Sequence, residues 1–345
     1  MPDKNTKKSL TEITLSYIAK NIIRILFPLI LGVGILWWMY RGTNWEEFTQ
    51  CVLHEMKWGW MVLSLLFGIL PQLFRAWRWK MSLEPLGENP DTRTSINAIF
   101  LSYASSLVIP RIGEVTRCGT LKRYEGTSFT KSLGTVVTER IIDSLIMLLL
   151  TAVAFFTQLP VFIRFLRATD TNFTSVFGRF TGTGYIVTAV CLVAAVVAFL
   201  ILVRRYAIFH KGKDLLDNMW EGIVSLRKVR NLPLYLVYSF GIWLAYFLHF
   251  YIAFFCFDFT SDILPVEAFL IFCIGSFAVL VPTPNGAGPW HFAVKTMLVI
   301  YGVAESQAIL FALVVHTIQT ALVILLGVVG WADLNRLTPL PKQTT

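Results

Sequence analysis

The stretch Thr138-Glu139-Arg140-Ile141-Ile142-Asp143 runs straight into the apolar segment 145–156. One charge at the centre of a membrane helix costs roughly 2.5–3.5 kcal/mol, and a chain keeps three ionisable groups there only where they face partners or a wet cavity. The stretch therefore marks a site within a membrane, with apolar helices packed around it.

Composition agrees. Of the 345 residues, 55% are hydrophobic and only 15% charged, where a soluble domain carries about 25% charged residues. The mean hydropathy is +0.63. The chain holds 27 Phe, 11 Trp and 11 Tyr, the ring-bearing residues expected at bilayer interfaces. The net charge of +9 could point to nucleic acid. The Lys and Arg residues lie in short flanks beside apolar runs, so topology control and anionic headgroups account for them, and no nucleic-acid partner is expected. None of the five cysteines (51, 118, 191, 256, 273) forms a CxxC pair, and they read as small apolar side chains.

Apolar runs long enough to cross, about 20 residues each, fall near 22–40, 59–77, 133–157, 184–203, 233–257, 265–282 and 305–331. No strand alternation accompanies them. The expected fold is all-α: a polytopic integral membrane bundle of seven or eight spans. The expected organisation is an N-terminal tail over 1–21, a transmembrane domain over 22–332 and a C-terminal tail over 333–345. The first apolar run lacks a cleavage site and reads as a retained span. Basic flanks around 4–24, 75–93, 111–131 and 204–230 read as cytoplasmic, whereas 41–57 and 258–267 read as external. This places the N-terminus in the cytoplasm and the protein in the plasma membrane, the inner one in a bacterium.

The serine-rich run 96–110 has basic sequence on both sides and cannot cross once, so it is expected to dip in and return. A second dip is expected over 283–300, where Thr283-Pro284-Asn285-Gly286-Ala287-Gly288-Pro289 breaks the apolar sequence. Whether 290–303 then crosses is left open, and with it the side of the C-terminus. Paired breaks of this kind mark transporter binding sites.

Four constellations could carry chemistry. In Pro110-Arg111-Ile112-Gly113-Glu114-Val115-Thr116-Arg117, a helix begun at Pro110 sets Arg111, Glu114 and Arg117 on one face. Two guanidiniums and a carboxylate there suit a phosphate, although a basic flank with local ion pairs reads equally well. Glu139, Arg140 and Asp143 carry a net −1 charge, as a cavity wall or as an internal salt bridge between helices. Gly286 and Gly288 permit a tight turn whose following helix start attracts anions, with His291 and Lys295 one turn apart behind it. Arg75-Ala76-Trp77-Arg78-Trp79-Lys80 reads first as snorkelling cations with interfacial Trp, making Arg75 and Arg78 secondary headgroup candidates. His249 and His316 read as structural. There is no HExxH, no Ser-centred nucleophile elbow and no paired Asp/Asn cluster, so neither metal nor cofactor is expected.

At Pro110-Arg111-Ile112-Gly113-Glu114 with Arg117, Glu139-Arg140 with Asp143, Pro282 through Gly288, and Arg75/Arg78-Trp79, the chain resembles the transmembrane region of lysylphosphatidylglycerol synthases, a flippase-like family. The resemblance runs from about residue 20 to 332. It implies re-entrant segments around a lipid-accessible cavity and movement of a modified phospholipid, isoprenoid or glycolipid between leaflets. That family often has a Glu shortly after the glycine turn, where this chain has His291. The full synthases add a further membrane section and a soluble aminoacyl-transferase domain, which this sequence lacks, so no synthase activity is expected. The favoured function is translocation of an anionic or phosphate-bearing lipid without bond-making chemistry. The alternatives are a membrane transferase using Glu139 or Asp143 as general base, and an accessory partner of a separate envelope-synthesis enzyme.

Overall fold

A computed structural model describes residues 30–168, 229–281 and 283–337, with side chains at all of these except 47 and 159–168. The expected run 184–203, most of the N-terminal tail and Pro282 lie outside the described residues. Among the described residues every regular element is helical. In chain order these are α1 (Ile30–Tyr40), α2 (Trp45–Gln50, running into a π turn at Cys51–Glu55), α3 (Trp58–Leu83), α4 (Thr92–Val108), α5 (Gly113–Glu125), α6 (Phe129–Ala168), α7 (Leu232–Ala253), α8 (Pro265–Ala278), α9 (Pro289–Ile300) and α10 (Glu305–Leu334).

Four helices are long and apolar enough to cross a bilayer: those built on α3, α6, α7 and α10. The protein is therefore an integral membrane protein. Its remaining helices are shorter. The 14 residues of α8 rise about 21 Å and the 12 of α9 about 18 Å, against a hydrocarbon core of about 30 Å. The run 265–282, long enough to span on paper, is thus one limb of a hairpin, and 290–303 is the returning limb. The physical reason is the turn: Asn285, Gly286 and Gly288 all take positive φ (51°, 70° and 91°), which no helix continues through.

The segment expected to dip first is likewise a helical hairpin, longer than 96–110. It begins at the Asp91 cap, whose side chain accepts from the Arg93 N–H, and returns along α5 to Gly126. The serines explain themselves here. Ser106 Oγ accepts from Gly113 N at 3.1 Å, and Ser105 Oγ donates to Thr116 Oγ1 at 3.1 Å. A Cβ on Gly113 would fall 2.1 Å from the Ser102 carbonyl oxygen, so only glycine permits this approach.

The two halves repeat one plan in opposite directions: long helix, hairpin, long helix. Lys57 at the start of α3 bonds Asp258 beyond the end of α7, so these helices are antiparallel. Arg93 and Asn97 in the first turns of α4 bond Asp333 in the last turn of α10. At the opposite end Lys295 of α9 pairs with Glu305 of α10. The hairpins therefore enter from opposite ends. Their packing exchanges in the same way, α4 lying on α10 and α8 on α6. Their tips meet where Arg111 Nη2 donates to the Leu280 carbonyl at 3.4 Å. One apolar core (Trp79, Leu83, Ile99, Leu121) sits under the first hairpin, and another (Phe250, Phe254, Phe272, Phe311) lies against the second.

Candidate functional site

On α3, Arg75, Arg78, Trp79 and Ser82 recur at helical spacing and form its buried face. The guanidiniums of Arg75 and Arg78 do not snorkel. Arg75 lies eight residues before the helix end, about 12 Å in, and carboxylates wait inside. Arg78, fully buried, donates from Nη1 to Asp143 Oδ1 at 2.7 Å and to Ser239 Oγ at 3.2 Å. Its Nε lies 3.6 Å from Glu139 Oε1. Arg75 Nη1 is 3.6 Å from Asp143 Oδ2.

From α5, Arg117 Nη1 donates to Glu139 Oε2 at 2.8 Å, with its guanidinium 4.7 Å above the Trp79 ring. Trp79 is held in turn by a 2.9 Å bond from Nε1 to Thr135 Oγ1. Arg140 bridges outward: Nη2 lies 3.5 Å from Asp143 Oδ2 and Nε 3.7 Å from Glu114 Oε1. Four guanidiniums and three carboxylates from α3, α5 and α6 thus form one connected network with one positive charge in excess.

Most of the network is sealed. Glu139 is fully buried, while the side chains of Arg140 and Glu114 are 42% and 39% exposed. Arg140 and Glu114 are the side from which the network can be reached. Donors outnumber acceptors inside. Arg75 Nε, Arg78 Nη2 and Arg117 Nη2 are buried without a hydrogen bond among the described residues, as are the acceptors Glu139 Oε1 and Asp143 Oδ2, which lie 3.5–3.6 Å from guanidinium nitrogens. Buried donors of that kind call for water or an anionic ligand. Polar contacts continue from Arg75, which lies over the Tyr103 ring, through Tyr103, Tyr246 and Gln72.

Arg111 does not join its expected helix face. It stands in the hairpin turn at φ 65°, ahead of α5, and reaches Leu280. Glu114 and Arg117 remain three apart on α5, but they bond different partners. The second hairpin makes its own cluster. His291 is buried with Nδ1 accepting from Gly288 N at 3.3 Å, and its ring centroid lies 4.3 Å from that of His316. His316 Nε2 lies 3.0 Å from the Asn285 carbonyl oxygen, and Asn285 Nδ2 donates to Thr320 Oγ1 at 2.8 Å. Lys295 points away to Glu305. His316, read from sequence as merely structural, holds the tip of this hairpin; its i, i+4 spacing to Thr320 was the available signal. His249 bonds Ser64 within the α3–α7 seam.

Among the described residues no group of His, Cys, Asp and Glu is arranged to hold a metal ion. No curated protein and no solved structure matches the chain. The family described as Lysylphosphatidylglycerol synthase TM region matches residues 25–327, nearly the whole sequence, and the chain belongs to that family.

Proposed function

We propose that this protein moves a phosphate-bearing lipid between leaflets, with the headgroup passing beside the arginine network and the acyl tails remaining in lipid. The observation that carries the reading is the excess of buried guanidinium N–H groups in a membrane bundle. Arginine forks match phosphate oxygens in pairs, and an interior charge cluster in a membrane helix marks a substrate path by default. The family's link to a phospholipid synthase points the same way.

Arg140 receives the headgroup first. Its contacts to Glu114 and Asp143 are loose at 3.7 and 3.5 Å, so a phosphate can displace them. Arg111 makes a single 3.4 Å bond across the tips and can exchange Leu280 for phosphate as the hairpins part. Gly286, Gly288 and the His291 contact let the second tip move as a unit. Glu139 and Asp143 are each engaged by at least two guanidiniums, which suits a fixed wall better than a general base. We place the end bearing Lys80, Arg93, Lys122, Arg123 and Arg230 in the cytoplasm by the positive-inside rule. An ion gradient or the lipid gradient supplies the drive.

The test is leaflet exchange of tail-labelled fluorescent phosphatidylglycerol in proteoliposomes, read by quenching of the outer leaflet. Wild type is expected to exceed empty vesicles. Arg140→Gln and Arg111→Gln are expected to fall to the empty-vesicle rate while keeping normal yield and gel-filtration behaviour. Wild-type rates in both variants would defeat the proposal.

A further inference from the structure

A groove of about 470 Å³ opens on the opposite face of α3 from the arginine network. One wall is Trp77 and Lys80 of α3 with Glu84 just past its end, spaced i, i+3 and i+7; the other wall is Arg230, Leu234 and Tyr238 around the start of α7. Trp77 and Tyr238 form an aromatic side, with ring centroids 5.7 Å apart. Leu236 and Val237 beside it are exposed, as on a lipid-facing surface. Two cations and one carboxylate share this small space, yet none of the three forms an ion pair among the described residues. Among the described residues Lys80 bonds the Thr92 hydroxyl, at 2.9 Å.

Charges of both signs that form no ion pair among the described residues, beside an aromatic, lipid-facing wall, describe the complement of one ligand. It carries a phosphate for Lys80 and Arg230, a primary ammonium for Glu84, and acyl chains for Trp77, Leu234 and Tyr238. We infer that this groove binds one zwitterionic aminophospholipid, of the phosphatidylethanolamine class, as a bound lipid separate from any that is translocated. The volume lies within the range of ligand sites. Arginine's fork takes the phosphate oxygens and lysine adds a point charge. Phosphatidylglycerol lacks the ammonium. Phosphatidylcholine has a cation with no N–H to donate to Glu84.

The full-length protein, purified and exchanged into micelles holding equal amounts of phosphatidylethanolamine, phosphatidylglycerol and phosphatidylcholine, is examined by native mass spectrometry. One phosphatidylethanolamine is expected to be retained in preference to the other two. Lys80→Gln combined with Arg230→Gln is expected to lower its retention roughly thirtyfold, the effect of two cations at a lipid surface. Glu84→Gln is expected to leave phosphate binding but erase the preference over phosphatidylglycerol. Arg230 and Glu84 are exposed, so their single variants fold and keep the test valid should the Lys80 change disturb α4. Equal retention of the three lipids by wild type, or unchanged retention in Arg230→Gln and in the double variant, would overturn the assignment. Displacement by tail-less glycerophosphoethanolamine at equal concentration would also overturn it, since the ligand would then be a soluble phosphate ester. The binding readout is independent of whether any lipid crosses.

Discussion

Replacing Glu139 by Gln removes one negative charge from the most deeply buried point of the network. Two cations lose their shared partner: Arg117 Nη1 at 2.8 Å and Arg78 Nε at 3.6 Å. At an effective dielectric of about 20 those contacts correspond to about 6 and about 5 kcal/mol of attraction. Desolvating the carboxylate offsets several kcal/mol of this. Removing one partner of such a buried pair leaves uncompensated charge, and the expected loss is about 3–5 kcal/mol. That is a large share of a typical folding free energy of about 5–15 kcal/mol. The assay is thermal unfolding of purified protein in detergent, followed by tryptophan fluorescence, beside Asp258→Asn as a control. Asp258 and Lys57 form an ion pair whose side chains are 83% and 49% exposed, and breaking it is expected to cost no more than about 1 kcal/mol. Adding Arg117→Met to Glu139→Gln restores the network's original charge excess. The double variant is expected to recover about 1–2 kcal/mol relative to the sum of the singles. A Glu139→Gln loss no greater than that of Asp258→Asn, or strict additivity in the double variant, would refute the claim that these side chains act as one buried network.

Three further outcomes are expected. Gly113→Ala, whose methyl would meet the Ser102 backbone oxygen at 2.1 Å, is expected to open the first hairpin and cut the monodisperse yield on gel filtration, whereas Gly119→Ala, facing open space, is expected to be neutral or to stabilise α5 by up to about 1 kcal/mol. Asn285→Ala loses the bond to Thr320 and sets alanine at φ 51°, at an expected cost of about 1–2 kcal/mol from the left-handed backbone alone; hydrogen exchange over 283–288 is expected to quicken more than in Asn285→Gly, and equal rates would show that the backbone conformation carries no cost. Arg93→Ala frees the start of α4 from Asp333; because hydrogen bonding to Asp333 raises the Arg93 pKa, the pair keeps its cation at every working pH, and high salt rather than alkali is expected to move wild-type exchange in α4 toward that of the variant.

The long helices were legible because hydropathy reports burial in lipid over 20 or more residues, and α3, α6, α7 and α10 satisfy it without interruption. The reversal of the first hairpin was legible from charge, since basic residues on both sides of 96–110 argue against a single crossing. The second was only half legible. Leu280 and Val281 continue the apolar run past Ala278, so hydropathy sees no end where the helix stops; the turn is set by Asn285, Gly286 and Gly288 downstream. The carboxylates of 138–143 announced that cations must face them, and the sequence also displays those cations at Arg75, Arg78 and Arg117. What it hides is register. Arg75 and Arg78 stand near a helix end, where snorkelling is the ordinary fate, and only the placement of α6 against α3 turns them inward. Arg111 was misplaced for a local reason: Pro110 suits the first turn of a helix, but the chain uses it in a turn and places Arg111 in a backbone region that arginine seldom enters.

The inverted plan and its unequal halves bear directly on mechanism. Exchange of two related conformations about a shared axis is natural to a bundle in which α3 and α7 pair with each other while the hairpins pack reciprocally on α10 and α6. The sequence shows no matching repeat because the two hairpins are held by different chemistry. The first is tied through Arg117 to a charged network that costs several kcal/mol to disrupt, and through Arg93 and Asn97 to α10. The second is held at its tip by neutral bonds among Asn285, His316 and Thr320, each worth about 1 kcal/mol. The base of the second hairpin is pinned by Lys295–Glu305 and by the Phe272 core, so on the proposed translocation reading it is the α8–α9 tip, rather than the α4–α5 hairpin, that is expected to yield first. On that reading, loosening the tip by Asn285→Gly is expected to raise the rate of leaflet exchange in proteoliposomes. Breaking the network at Arg117 is expected to lower that rate by unfolding the first hairpin, and an unchanged rate in either variant would refute the assignment.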